Sequence, residues 1–142
     1  MTRAQRLLLD THVWLWLALG TARKISPAAL RILEETGRAG GLMVSIVSMW
    51  ELSLLVARQR IALPLPLADW VALALSRPEI RLVGLNQPGT VIDAVNLPGA
   101  IDADPADRFL IATARARRAT LATHDDTILA YGESGHVAVL AI

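Results

Sequence analysis

The 142-residue chain contains no cysteine. That absence removes disulfides, iron–sulfur clusters, thiolate zinc sites and cysteine nucleophiles together, so a bound metal must take oxygen ligands or one of the three histidines. Lysine is nearly absent: thirteen of the fourteen basic residues are arginine. Arginine suits bidentate phosphate contact, and a skewed codon composition gives the same count. A formal net charge of +1 provides no whole-molecule attraction for nucleic acid. Long apolar runs are also missing. The stretch Val13 to Leu19 falls far short of the roughly 20 residues that span a bilayer. The N-terminal stretch Met1 to Arg6 leads through only three leucines to Asp10, with no signal-peptide hydrophobic region. The expectation is a protein of the cytoplasm with no membrane role.

What is present is a rich supply of core residues, with 54% of the chain hydrophobic. At this length residues 1–142 are expected to form one domain. Apolar runs bounded by Gly, Asp or Asn recur at Leu7–Leu9, Leu42–Ile46, Ile80–Leu85, Thr120–Ala122 and His136–Leu140, which predicts about five buried strands. Between them lie helical signals: Ser26-Pro27 opening a run to Gly37, then Ser48 to Arg60, Pro66 to Arg77, and Asp104-Pro105 to Arg118. Leu63 to Pro66 and Asn96 to Gly99 read as loops. Alternating strands and helices predict an α/β fold, a mainly parallel sheet between helical layers, which binds ligands outside the carboxyl ends of its strands.

Four acids fall at that edge. Asp10 directly follows Leu7-Leu8-Leu9 and stands before a helical stretch, so it is either a helix N-cap or a ligand. Glu51 lies three residues after Ser48, the spacing of a capping box, which would also bring its carboxylate beside a strand end. In Asp104-Pro105-Ala106-Asp107, Asp104 is the expected N-cap and Asp107 lies in the first turn, on the face of Ile111 and Ala114. Asp125 follows Thr120-Leu121-Ala122 and could be a cap or turn residue. Independent capping does not require four acids to converge on one edge. Two carboxylates about 5 Å apart repel by roughly 3 kcal/mol at an effective dielectric near 20. Such a cluster therefore calls for a cation, and oxygen ligands without cysteine or paired histidines select Mg²⁺ or Mn²⁺.

Around these acids the sequence resembles the PIN-domain ribonucleases, and within them the VapC-type toxins of bacterial toxin–antitoxin pairs. The stretch from Leu7 to Trp16, LLLDTHVWLW, is similar to the N-terminal motif. Val44 to Leu52 resembles the second acidic motif, Asp104 to Ala114 the third, and Leu121 to Asp125 the fourth. The similarity runs in order from about residue 7 to residue 140. It implies a three-layer α/β/α sandwich and an acidic metal pocket of Asp10, Glu51, Asp107 and Asp125, with Asp104, Ser48, Thr11 and Thr123 as secondary candidates. Many relatives carry His-Arg before the Asp-Pro of the third motif. Here Asp102 and Ala103 stand in those places, so that loop brings no histidine.

By this resemblance the reaction is hydrolysis of RNA phosphodiester bonds with Mg²⁺ or Mn²⁺. The implied partners are RNA, a cognate antitoxin and a second copy of the chain, with Val13–Leu19 and Leu52–Val56 as the apolar segments available for a homodimer. His12 and His124 flank proposed ligands and read as structural histidines, with phosphate contact as the alternative. Trp14, Trp16, Trp50 and Trp70 read as core or dimer packing. Arg108, Arg115, Arg117 and Arg118 read either as a solvated helix end or as contacts to the RNA backbone. Ser45, Ser48 and Thr123 could hydrogen-bond carboxylates or phosphate. A phospho-aspartate mechanism on Asp10 wants an acid two residues later, and His12 stands there. A catalytically idle PIN-like binding domain is the remaining alternative.

Overall fold

The structure, a computed structural model, describes residues 5–142; residues 1–4 of the stretch read for a leader lie outside them. Five strands form one sheet: β1 (Leu7–Leu9), β2 (Leu42–Ser45), β3 (Ile80–Val83), β4 (Thr120–Thr123) and β5 (Val139–Ala141). Every pairing is parallel, in the order β3-β2-β1-β4-β5. The helices are α1 (Thr11–Ala18), α2 (Pro27–Arg38), α3 (Ile46–Ala57), α4 (Leu67–Leu75), α5 (Pro88–Val95), α6 (Pro105–Arg117) and α7 (Asp126–Glu133), with a 3-10 turn at Ala22–Lys24.

The two-residue period of a strand explains why β1 is leucine throughout. Leu7 and Leu9 face one core with Val13, Trp14, Leu33, Val44, Leu52 and Trp70. Leu8 faces the other with Met43, Leu110, Ile111, Leu121 and Ile128. All three leucines are fully buried, and each burial contributes about 1.5–3 kcal/mol. Chain entry into β2 depends on Gly41, where a Cβ would overlap the Gln5 carbonyl oxygen.

Several boundaries differ from the sequence expectation. Strand β2 stops at Ser45 and α3 begins at Ile46, not at Ser48. The last strand begins at Val139, not at His136, and β3 ends at Val83. Helix α5 was not anticipated: it is only eight residues long and buries Ala94 alone, while its apolar Val91, Ile92 and Val95 stay exposed. The segments expected to form a dimer surface divide: Val13, Trp14, Leu15 and Leu52 belong to the core, while Trp16, Leu17, Leu19, Leu54, Leu55 and Val56 are half-buried. The exposed large apolar side chains include Ile46 and Trp50 on α3 and Val91, Ile92 and Val95 on α5.

Candidate active site

Sheet order reverses at β1, which turns one way to β2 and is flanked on its other side by β4. In parallel α/β sheets such a switch point opens a crevice at the strands' carboxyl ends. Leu9 pairs with Val44 and Ala122, so Asp10 emerges between the tips of β2 and β4. Its amide donates to the Ala122 carbonyl at 2.9 Å. Asp10 occupies the N-cap position of α1, yet its side chain makes no cap bond. Instead Oδ2 accepts from the Thr123 hydroxyl at 2.6 Å, and the same Thr123 oxygen accepts from the Asp125 amide at 3.0 Å.

Asp125 does cap its helix, with Oδ1 accepting from the Ile128 amide at 3.0 Å. Asp104 caps α6, accepting from the Asp107 amide at 2.8 Å, with Pro105 in the first helical turn. That bond satisfies Asp107's backbone and leaves its carboxylate uncommitted.

The expected capping box of Ser48 and Glu51 is not formed. Ser45 caps α3 by accepting from the Val47 amide at 3.0 Å, which shifts the helix start upstream. Ser48 therefore sits inside the helix, fully buried, with its Oγ 2.7 Å from Thr11 Oγ1. Glu51 falls in the second turn, where Oε1 accepts from Thr11 Oγ1 at 2.5 Å. Thr11 has one hydroxyl proton and gives it to Glu51, so Ser48 must donate to Thr11. Adjacent residues at the start of α1 thus present Asp10 and hold Glu51.

Electrostatics bring the acids together. Burial first, then the charges of Asp104, Asp10, Asp125 and Glu51, push the Asp107 carboxyl up to about 7. Burial raises Glu51, the Thr11 bond opposes this, and Asp10 and Asp104 add to it. Asp10 is likewise raised by burial, against the Thr123 hydrogen bond and the nearby His12. None of these acids is in a salt bridge among the described residues, where Arg115 Nε pairs with Asp93 Oδ2 at 2.9 Å, elsewhere on α6 and α5. No three carboxylates or histidines among the described residues are grouped as the ligands of one ion. They share a field at the carboxyl edge of the sheet, and their donors are all hard oxygens of the kind Mg²⁺ and Mn²⁺ prefer.

Residues outside the acid set divide differently from the sequence reading. Trp14 and Trp70 are core partners, with ring centroids 5.5 Å apart. Trp50 is 55% exposed and so is not a core residue. Trp16 is half-buried between two imidazoles, edge-on to His124 at 5.3 Å and to His12 at 6.4 Å. Arg108 donates to the carbonyls of Ala103, Ala94 and Ile101, and Arg115 adds a bond to the His136 carbonyl. Both arginines brace the fold.

Together the parallel sheet and its carboxylate crevice define an α/β protein whose polar site lies at the topological switch point. The sequence profile of the PIN domain matches residues 7–133, and the chain belongs to that family. It is 36% identical over 118 residues to Ribonuclease VapC22 of Mycobacterium tuberculosis, covering 83% of this chain and 85% of that protein. The fold is similar to that in VapBC2 from Rickettsia felis bound to a DNA fragment from their promoter, with a TM-score of 0.67, 15% identity, and 96% and 98% of the two chains covered. It is also similar to that in FitAcB from Neisseria gonorrhoeae, with a TM-score of 0.56, 21% identity, and 94% and 96% covered.

Proposed function

We propose that residues 1–142 act as one domain, a divalent-metal-dependent endoribonuclease that serves as the toxin of a toxin–antitoxin pair. The observation that carries this reading is the mutual electrostatic coupling of Asp10, Glu51, Asp107 and Asp125, none of which is in a salt bridge among the described residues. Kinship with a protein named as a ribonuclease supports the choice of RNA.

A bound Mg²⁺ or Mn²⁺ would neutralise phosphodiester charge and lower the pKa of water. Asp10, held by Thr123 through one oxygen, offers the other, and Asp107 offers an uncommitted carboxylate. Asp125 has Oδ2 left after capping α7, and Glu51 has Oε2 left after accepting from Thr11. Glu51, its carboxyl raised by burial, would orient the attacking water and take its proton during in-line attack.

Among the described residues no helix is long and apolar enough to cross a membrane, in keeping with action in the cytoplasm. An antitoxin segment would silence the crevice by offering arginine to its carboxylates. A second copy of the chain would cover Ile46 and Trp50 of α3 and Ile92 and Val95 of α5, and sedimentation at micromolar concentration tests that dimer.

The test of the activity is cleavage of single-stranded and structured RNA in Mn²⁺, with and without chelator, by the parent and Asp107→Asn. Metal-dependent cleavage that disappears in the variant is expected. RNA binding without cleavage would favour the idle-domain alternative.

A further inference from the structure

An all-acceptor crevice attracts a metal and repels a phosphodiester, so a strand cut there needs donors beside it. The arginines of α6 do not supply them. Arg108 and Arg115 are engaged by backbone carbonyls and Asp93. Arg117 and Arg118 close a helix of 13 residues, about 20 Å long, whose other end carries Asp104 and Asp107. They lie where β4 begins, at the opposite edge of the sheet.

Another group stands at the rim. His12 and His124 are exposed, two residues from Asp10 and next to Asp125 respectively. Trp16 joins them, edge-to-face with each, a geometry that fixes ring orientation. Lys24, the single lysine of the chain, is exposed and sets Nζ 5.8 Å from the Trp16 ring centroid. Three donor side chains on α1, the 3-10 turn and the β4–α7 loop thus gather around one indole beside the acids. A neutral imidazole carries one N–H and a charged one two, so donation does not depend on protonation state.

We propose that His12, His124 and Lys24, held in place by Trp16, form the subsite that grips the RNA strand by a phosphate flanking the scissile one. This assignment rests on the nuclease reading above. His12 and His124 contact the phosphate oxygens, Lys24 contributes the counter-charge, and Trp16 is a positioning residue.

The test compares the parent with His12→Ala/His124→Ala, Lys24→Ala and Trp16→Leu. Steady-state cleavage of a single-stranded oligoribonucleotide in Mn²⁺ gives KM and kcat, calorimetry gives Mn²⁺ affinity, and melting curves show that each variant is folded. The double histidine variant is expected to raise KM about tenfold or more, with kcat and Mn²⁺ affinity within about twofold. Lys24→Ala should lower the slope of log KM against log salt by about 0.7, the change expected when the protein neutralises one phosphate fewer on a single strand. An unchanged KM in the double variant overturns the subsite, and so does a fall in Mn²⁺ affinity that accounts for the reduced activity. If the parent cleaves no RNA with any divalent metal, the nuclease reading fails and takes the subsite with it.

Discussion

Thr123 donates its hydroxyl proton to Asp10 across the junction of β1 and β4, at 2.6 Å, while the same oxygen accepts from the Asp125 amide at 3.0 Å. One fully buried hydroxyl therefore orients the Asp10 carboxylate and ties down the backbone of Asp125. Outer-shell partners of this kind typically change metal affinity by roughly 10–100-fold when removed. Thr123→Val, which keeps the shape of the side chain, is expected to weaken Mn²⁺ binding within that range, and Thr123→Ser to restore most of it. Calorimetric titration decides it: a Val variant that binds Mn²⁺ like the parent removes the role given to Thr123.

Asp10→Asn and Asp107→Asn separate catalysis from folding. Asp10 makes no cap bond, and the cap on the Asp107 amide comes from Asp104, so neither substitution removes a helix cap. Each removes one charge from a set in which close pairs repel by roughly 3 kcal/mol. Metal-free melting temperatures should hold or rise while Mg²⁺-dependent cleavage drops by orders of magnitude. Variants that lose stability and cleave normally would mean that these acids serve the fold alone.

The sheet and the placement of the acids were legible because local rules act in concert. Leu7-Leu8-Leu9 can only be a strand buried on both faces, and an acid directly after it must lie at the ligand edge. Asp104-Pro105 announces a helix start that tertiary contacts do not alter. Ser45 and Ser48 were ambiguous, since either can cap a helix. The choice fell to Ser45 because Ser48 is recruited by Thr11, a contact no local pattern encodes. The rim of His12, Trp16 and His124 was illegible for the same reason, as it joins α1 to the far end of β4. Leucines around Trp16 suggested a core that the side chain only partly enters.

Asp107 sets a pH dependence that bound metal offsets. Its carboxyl stands at about 7 in the fold against an ordinary 3.8. Its contribution to stability is therefore complete below about pH 4, where folded and unfolded chains are both protonated, and is lost as pH rises through 7. Asp10 and Glu51, also raised, act in the same direction. The metal-free melting temperature should fall between pH 4 and pH 7, less steeply in Asp107→Asn. Saturating Mn²⁺ binds the ionised form, adding about 2.7 kcal/mol at a hundredfold excess over Kd, so the stabilisation by metal should grow over the same interval. A metal-free melting temperature that climbs with pH, equally in parent and variant, would contradict the environment assigned to Asp107.

The chain of hydroxyls from Ser48 through Thr11 to Glu51 allows the fold and the site to be weighed separately. Thr11→Val takes the hydrogen-bond donor from Glu51 and also strips Ser48, fully buried, of its partner. An unsatisfied buried hydroxyl costs about 1–3 kcal/mol, so the single variant should be destabilised by that order. Ser48→Ala alone leaves Thr11 bonded to Glu51 and should cost less. In the double variant both hydroxyls are gone and no fully buried hydroxyl is stranded between α1 and α3, so stability should recover relative to Thr11→Val. Metal affinity should not recover, because Glu51 still lacks the bond that orients it. A double-mutant cycle run in parallel on melting and on Mn²⁺ titration therefore predicts strong coupling in the first and little in the second. If Mn²⁺ affinity returns together with stability in the double variant, the Thr11 hydroxyl serves packing alone and Glu51 is positioned by its helix.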